Sequence, residues 1–87
     1  MHIDKAKKRI AKRIKMGFQG YPQLSIAYLD SLDDQKETVL LSLQLEQYAE
    51  PQEQRFSSKG DAREDAAIQS AIVKMIERCE VKSVVLF

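Results

Sequence analysis

The sequence predicts an α+β domain with a three- or four-stranded antiparallel sheet and two helices packed on one face. Two segments with helical periodicity, one near each end, flank a central region where apolar and polar residues alternate. The 87 residues suffice for a single domain, 1–87, whose 44% hydrophobic and 31% charged content is ordinary for a soluble globular protein. The predicted order is α-β-β-β-α with a final strand.

The first helix is predicted over about Ile3–Met16. Its apolar residues recur at helical spacing within an arc of roughly 80°, which predicts one buried stripe. Gly17, Gly20 and Pro22 then end the helix. The apolar stripe comprises Ile3, Ala6, Ile10 and Ile14, and the positive side chains predicted to lie opposite it are Lys5, Lys8, Arg9, Lys12 and Lys15.

Two antiparallel strands are predicted next, at 23–30 and 38–47, because their side chains alternate with period two. The polar segment 31–37 between them, with Asp33 and Asp34, is predicted to be the connecting turn. The inward residues are predicted to be Leu24, Ile26 and Tyr28 on the first strand and Val39, Leu41, Leu43 and Leu45 on the second.

A third strand at 52–58 is polar and is therefore predicted to lie at an edge of the sheet or to bury only one face. The second helix is predicted over 61–79, where Asp61 and Glu64 have the spacing of a capping box and acidic residues fill the first turn. Its apolar stripe is predicted to consist of Ile68, Ala71, Ile72, Met75, Ile76 and Cys79.

The last segment, 82–87, is apolar on both faces and predicts a strand that is covered on both sides or paired with another chain. A protein interface is therefore a hypothesis for this strand. Its candidate residues are Val84, Val85, Leu86 and Phe87.

Enzymatic chemistry is not predicted. His2 is the only histidine and lies near a helix start, so a triad with an oriented imidazole is not expected. The single cysteine, Cys79, excludes an internal disulfide and favours a reducing, cytoplasmic setting. Glycine-rich phosphate loops and metal-ligand spacings are absent from the sequence, and no apolar stretch is long enough to span a bilayer. We expect no cofactor and no membrane partner.

The stretch Ser58–Ala67, SKGDAREDAA, together with the α-β-β-β-α order, resembles the double-stranded RNA-binding domain family. Ser58, Lys59 and Ala62 match the family pattern, and Arg63 occupies a position where that family has a basic residue. Ala66 and Ala67 match its small packing positions. The resemblance implies a second contact with RNA phosphates, through Lys59 and Arg63, at the start of the second helix.

The charge distribution is uneven along the chain. Residues 1–20 carry seven Lys and Arg against one Asp, a net +6, whereas residues 21–87 carry seven against twelve acidic residues, a net −5. The basic segment 5–15 has four interpretations: a solvated side of a structural helix, a nucleic-acid contact, a surface for another copy or an acidic protein, and a membrane-surface helix. The leading functional hypothesis is a non-catalytic module that binds structured RNA. The competing hypothesis is a protein-interaction or homodimeric adaptor domain.

Overall fold

The computed structural model describes residues 2–30, 37–58 and 60–87. It confirms the α+β class, with two helices against one face of a four-stranded sheet. The elements are α1 (Ile3–Met16), β1 (Gln23–Asp30), β2 (Glu37–Gln44), β3 (Gln52–Ser58), α2 (Ala66–Arg78) and β4 (Ser83–Leu86), with a 3-10 turn at Ala62–Glu64. Of the predicted connection 31–37, residues 31–36 lie outside the described residues, and Glu37 belongs to β2 instead.

The sheet is mixed, with the order β3-β2-β1-β4, whereas the sequence predicted a purely antiparallel sheet. β1 pairs antiparallel with β2, and β2 pairs antiparallel with β3. β4 runs parallel to β1. The reason is that α2 lies between β3 and β4 and returns the chain across the sheet, as a connection between parallel strands requires.

The core lies between the sheet and the helices. Inward side chains of β1 and β2 alternate as predicted, with Leu24 opposite Leu43 and Ile26 opposite Leu41. α1 contributes Ala6 and Ile10, and α2 contributes Ile68, Ile72, Val73 and Ile76. Two details of the α2 stripe differ from the prediction: Val73 and Gln69 are buried, while Met75 and Cys79 are only half-buried.

Leu45 is a correction to the predicted core. Its side chain is 45% exposed because β2 ends at Gln44, so the alternation that placed Leu45 inward has stopped one residue earlier. The final strand is present within the predicted segment 82–87, with one face covered by the helices. β4 is an edge strand whose Val84 enters the core, while Val85 is half-buried on the sheet face opposite the helices.

The segment between α1 and β1 is fastened to β4. Gly17 has φ 74° and ψ −160°, a backbone conformation open essentially to glycine alone, and its N–H donates to the carbonyl of Ile14. The buried hydroxyl of Ser83 donates to the carbonyl of Gly20 at 2.6 Å and accepts from the N–H of Gln19 at 2.7 Å. These bonds hold the end of α1 beside the last strand.

Neither of the two described α-helices has the length and apolar character that crossing a bilayer requires.

Candidate nucleic-acid interface

Four lysines form the outward side of α1, and we call this set the basic face: Lys5, Lys8, Lys12 and Lys15. All four are exposed, while Ala6 and Ile10 on the opposite side are buried. At 100° per residue, Lys12 points almost directly away from the buried stripe. The periodicity of the sequence therefore predicted both the bounds of α1 and the outward direction of its lysines.

The basic face has no acidic neighbour in the described part of the chain: no carboxylate there lies within 4 Å of its ammonium groups. Lys8 and Lys12 are four residues apart, and Lys5 and Lys8 are three apart, so like charges adjoin along the helix. Such pairs destabilise an isolated helix by a few tenths of a kcal/mol each, roughly 0.2–0.5. Burial of the apolar stripe therefore offsets the mutual repulsion of the lysines, and the resulting positive surface attracts anions.

Arg9, predicted to belong with these lysines, lies closer to α2. Its guanidinium contacts the Glu77 carboxylate at 2.9 Å, and both side chains are more than half exposed. Exposed pairs of this kind stabilise a protein by less than about 1 kcal/mol. The structure thus places Arg9 between the helices, with part of its charge compensated.

A second ion pair of α1 joins Lys7 to the 3-10 turn that precedes α2. The Lys7 ammonium group donates to the Glu64 carboxylate at 2.5 Å. This hydrogen bond raises the pKa of Lys7 above its ordinary value. Desolvation, the next largest effect, opposes it, and the negative charges of Glu64, Asp4 and Asp61 add to the increase. Lys7 is therefore cationic at every physiological pH and is already paired.

A groove of about 490 Å³ runs between α1 and α2. Its apolar floor includes Val73 and Ile76, which are 2% and 5% exposed. Cationic side chains outnumber the one carboxylate at its rim. These rim residues are Arg9, Lys12, Arg13 and Glu77.

α2 adds two cations to the same outer layer. Lys74 and Arg78 are exposed and four residues apart, on the flank of α2 toward β3, where both line a hollow with Gln54 and Phe56. Sequence reasoning missed them, together with Arg13 on the groove. The signal that could have revealed them is their angular position, since Lys74 lies about 160° and Arg78 about 120° from the centre of the stripe Ile68–Ile72–Ile76. We call the basic face, Arg13, Lys74 and Arg78 together the helix-layer surface.

The second predicted contact does not join this surface. Lys59 lies outside the described residues. The guanidinium carbon of Arg63 lies 4.2 Å from the centroid of the Tyr28 ring, and its Nη1 is 3.5 Å from the Glu37 carboxylate. Arg63 shares a hollow with Lys7 at the flank of α1, and its charge is engaged by an aromatic ring and a carboxylate.

The local pattern shared with the double-stranded RNA-binding family also differs in its packing. Ala66 and Ala67 are exposed, whereas the match implied that they would pack on the sheet. Ala62 is fully buried, in the 3-10 turn that precedes α2. The physical reason is that α2 begins at Ala66, so the small residues of its first turn face solvent.

The four residues of the predicted protein interface on β4 differ in exposure, because successive side chains of a strand point to opposite faces of the sheet. Val84 is 1% exposed and is a core residue, which excludes its side chain from any interface. Val85 is half-buried. Leu86 and Phe87 are 46% and 77% exposed, so these two remain available for contact.

Comparisons with protein-family models, with curated proteins and with solved structures found no match to this chain. In the ranges that the structure describes, no three His, Cys, Asp or Glu side chains lie close enough together to hold a metal ion. The strongest chemical feature of the described residues is therefore the concentration of cations on the helix layer.

Proposed function

We propose that this protein is a non-catalytic cytoplasmic module that binds nucleic acid, with structured RNA as its ligand, through the helix-layer surface. The observation that carries the proposal is the basic face. Lys5, Lys8, Lys12 and Lys15 are exposed, adjoin one another and have no carboxylate within 4 Å among the described residues. A surface of this kind attracts a polyanion because phosphate binding relieves the repulsion and releases condensed counterions.

The dimensions of α1 suit a phosphate backbone. From Lys5 to Lys15 the helix rises about 15 Å, and a duplex carries one negative charge per about 1.7 Å of its axis. Lys74 and Arg78 on α2 extend the positive surface sideways. The helix layer therefore offers a broad contact for a backbone and is expected to bind with a steep dependence on salt.

Two features favour a structured ligand over an unpaired strand. α1 contains no aromatic side chain, whereas single-strand binding without sequence preference depends on bases stacked on aromatic rings. The α-β-β-β-α order through α2 is also the order implied by the resemblance to the double-stranded RNA-binding family. Recognition of a duplex by shape and backbone requires only placed cations and polar groups.

The first experiment is a titration of the labelled 87-residue chain with duplex RNA, single-stranded RNA and duplex DNA at two salt concentrations. We expect the tightest binding to duplex RNA. The logarithm of the binding constant should fall against the logarithm of salt concentration with a slope of about −3 to −4, because three or four phosphate contacts each contribute roughly −0.9. Equal affinity for all three nucleic acids would remove the structured-RNA part of the proposal.

Variants then locate the contact. Lys8→Gln combined with Lys12→Gln should weaken binding about tenfold or more at moderate salt and reduce the slope by about two. The matched control is Gln47→Glu combined with Tyr48→Glu, which makes the net charge more negative by the same amount at two exposed positions between β2 and β3, outside both helices. If the control weakens binding as much as the lysine variant, long-range net charge accounts for the affinity and the basic face is not the site.

A complete lack of binding at low salt would instead favour the adaptor hypothesis. In that case the basic face would meet an acidic protein, and the exposed Leu86 and Phe87 would supply apolar contact.

A further inference from the structure

The sheet face opposite the helices, here called the outer face, carries no charged residue on three of its four strands. In a chain whose residues are 31% charged, a solvated sheet face would ordinarily include charges. The outward positions on these strands are Val85 on β4, with Phe87 directly after it; Gln23, Ser25, Ala27 and Leu29 on β1; and Thr38, Leu40, Ser42 and Gln44 on β2. Ser83 has the same orientation as Val85 but is fully buried, and its hydroxyl bonds to Gln19 and Gly20.

The strand register arranges eight outward residues in two adjacent rows across the sheet. The first row contains Ala27, Leu40 and Arg55, and the second contains Val85, Ser25, Ser42 and Glu53. Phe87 extends the first row, because it follows Leu86, which pairs with Ile26, and its N–H donates to the Ile26 carbonyl. The outer face therefore has its charges on β3 alone, and they are opposite in sign. Within the two rows, the apolar side chains Phe87, Ala27 and Leu40 belong to the first row, and Val85 is the apolar residue of the second.

We propose that the outer face is a homodimer interface, in which two copies pack sheet against sheet about a twofold axis. The axis crosses the strands at the level of Ile26 and Leu41, between the two rows. A rotation about it lays the first row of one copy over the second row of the other. Leu40 then lies over the second copy's Ser42, and Arg55 lies over the second copy's Glu53. Every such contact occurs twice, as a twofold interface requires.

The shapes of the two rows support this pairing. A hollow of about 200 Å³ lies in the outer face, and its lining includes Ala27, Leu40 and Ser42. The Phe87 ring borders this hollow and is 77% exposed, so a protruding group and a depression adjoin on one surface. Ser25 and Ser42 are directly opposite each other in the register, and their hydroxyls can therefore bond to each other when water is excluded.

Charge complementarity identifies the occupant as a second copy. Glu53 and Arg55 are both exposed on the edge strand β3. With the axis between them, each meets the opposite charge of the other chain, whereas an unrelated partner would need to supply this pattern independently. Sheets that pack face to face keep their strands within about 30° of each other, which leaves both ion pairs within reach at the rim.

The size of the face indicates a weak dimer. Four strands spaced about 4.8 Å apart and up to about 27 Å long give a footprint of roughly 500 Å². This is near the lower end for specific interfaces, for which dissociation constants are commonly micromolar. The helix layers of the two copies would point in opposite directions.

Sedimentation equilibrium of the 87-residue chain tests the proposal, over concentrations from about 1 μM to about 500 μM. We expect the mass to rise toward twice that of the 10.0 kDa chain. Arg55→Glu alone, or Glu53→Arg alone, should weaken dimerisation at least tenfold, because each places two like-charge pairs across the axis. The double variant Glu53→Arg with Arg55→Glu should restore the wild-type dissociation constant to within about threefold.

Arg78→Glu is the matched control, since it makes the same charge change on α2 and should leave dimerisation unaltered. All the altered residues are exposed, and an unchanged circular dichroism spectrum verifies that each variant is folded. A chain that stays monomeric throughout the concentration range overturns the proposal. So does a dimer that the single reversals do not weaken, since such a dimer would use another surface, such as the free edge of β4. A double variant as weak as the single variants also overturns it.

Discussion

Glu37 shows how one side chain can connect distant parts of this fold. It begins β2, its side chain is 16% exposed, and one carboxylate oxygen accepts from the N–H of Ala62 at 2.6 Å. The other oxygen lies 3.5 Å from Arg63, which in turn stacks on Tyr28. Because Ala62 is fully buried, its N–H depends on Glu37 for a partner.

Replacing Glu37 by alanine should lower the free energy of unfolding by about 1.5–3 kcal/mol, the range for a hydrogen bond to a charged group. Glu37→Gln keeps an acceptor oxygen and should cost roughly half as much. Urea denaturation followed by circular dichroism measures both. Equal losses for the two variants would show that the charge, through Arg63, matters more than the bond to Ala62.

The sequence correctly predicted the orientation of side chains inside a helix or strand, and its errors fall at the ends of these elements. The alternation in β1 and β2 correctly placed Leu24, Ile26, Leu41 and Leu43 in the core. Leu45 and Ala66 were assigned incorrectly, since each lies at an element end that periodicity does not define. Val84 was named as a candidate interface residue but lies in the core, because the sequence of a strand with apolar residues on both sides does not show which side the helices cover.

The two helices differ in how well the sequence predicted their ends. α1 ends where glycine and proline require it, at Met16. α2 was predicted from Asp61, but Asp61 caps only the short 3-10 turn, and Asp65 caps the α-helix itself. The Asp65 carboxylate accepts from the N–H groups of Ala67 and Ile68 at 3.0 and 3.2 Å, and from the Ser58 hydroxyl at 3.0 Å. The contact with Ser58 links the cap to β3, which no local pattern could reveal.

Asp65→Ala should therefore destabilise the protein by about 1–2 kcal/mol, toward the upper part of the range for loss of an N-cap. For a domain of this size such a loss lowers the melting temperature by roughly 4–16 °C. Asp65→Asn is the matched variant, because asparagine caps helices about as well as aspartate, and we expect it to lose less than half as much. Differential scanning calorimetry gives both values. An unaltered melting temperature for Asp65→Ala would mean that Asp61 can take over as the cap.

At the scale of the whole molecule, charge and apolar surface are segregated on opposite sides of one sheet. The helix layer carries the four exposed lysines of the basic face, and the outer face is uncharged except on β3. The ion pairs of Lys7 with Glu64 and Arg9 with Glu77 lie between α1 and the segment around α2, so they leave the outward lysines available. The two proposed functions therefore use separate surfaces.

This separation predicts independent loss of the two activities. Arg55→Glu should abolish dimerisation at micromolar concentration. Its dissociation constant for a short RNA duplex that accommodates one domain, measured at submicromolar protein, should stay within about twofold of the wild-type value. Lys8→Gln combined with Lys12→Gln should weaken RNA binding and leave the dissociation constant of the dimer unchanged. Fluorescence anisotropy and sedimentation report the two quantities on the same samples. A joint loss in either variant would indicate that RNA binding requires the dimer, as it would if the RNA spanned two copies.

The sequence alone determined the fold class, the bounds of α1, β1 and β3, and the outward direction of the basic face. These are local properties, since hydrophobic periodicity and breaker residues act within one element. Tertiary structure decided the parallel placement of β4, the capping role of Asp65, the pairing of Arg9 with Glu77 and the alignment of the two rows on the outer face. Each of these depends on which distant segments become neighbours, and that is set by packing of the whole core.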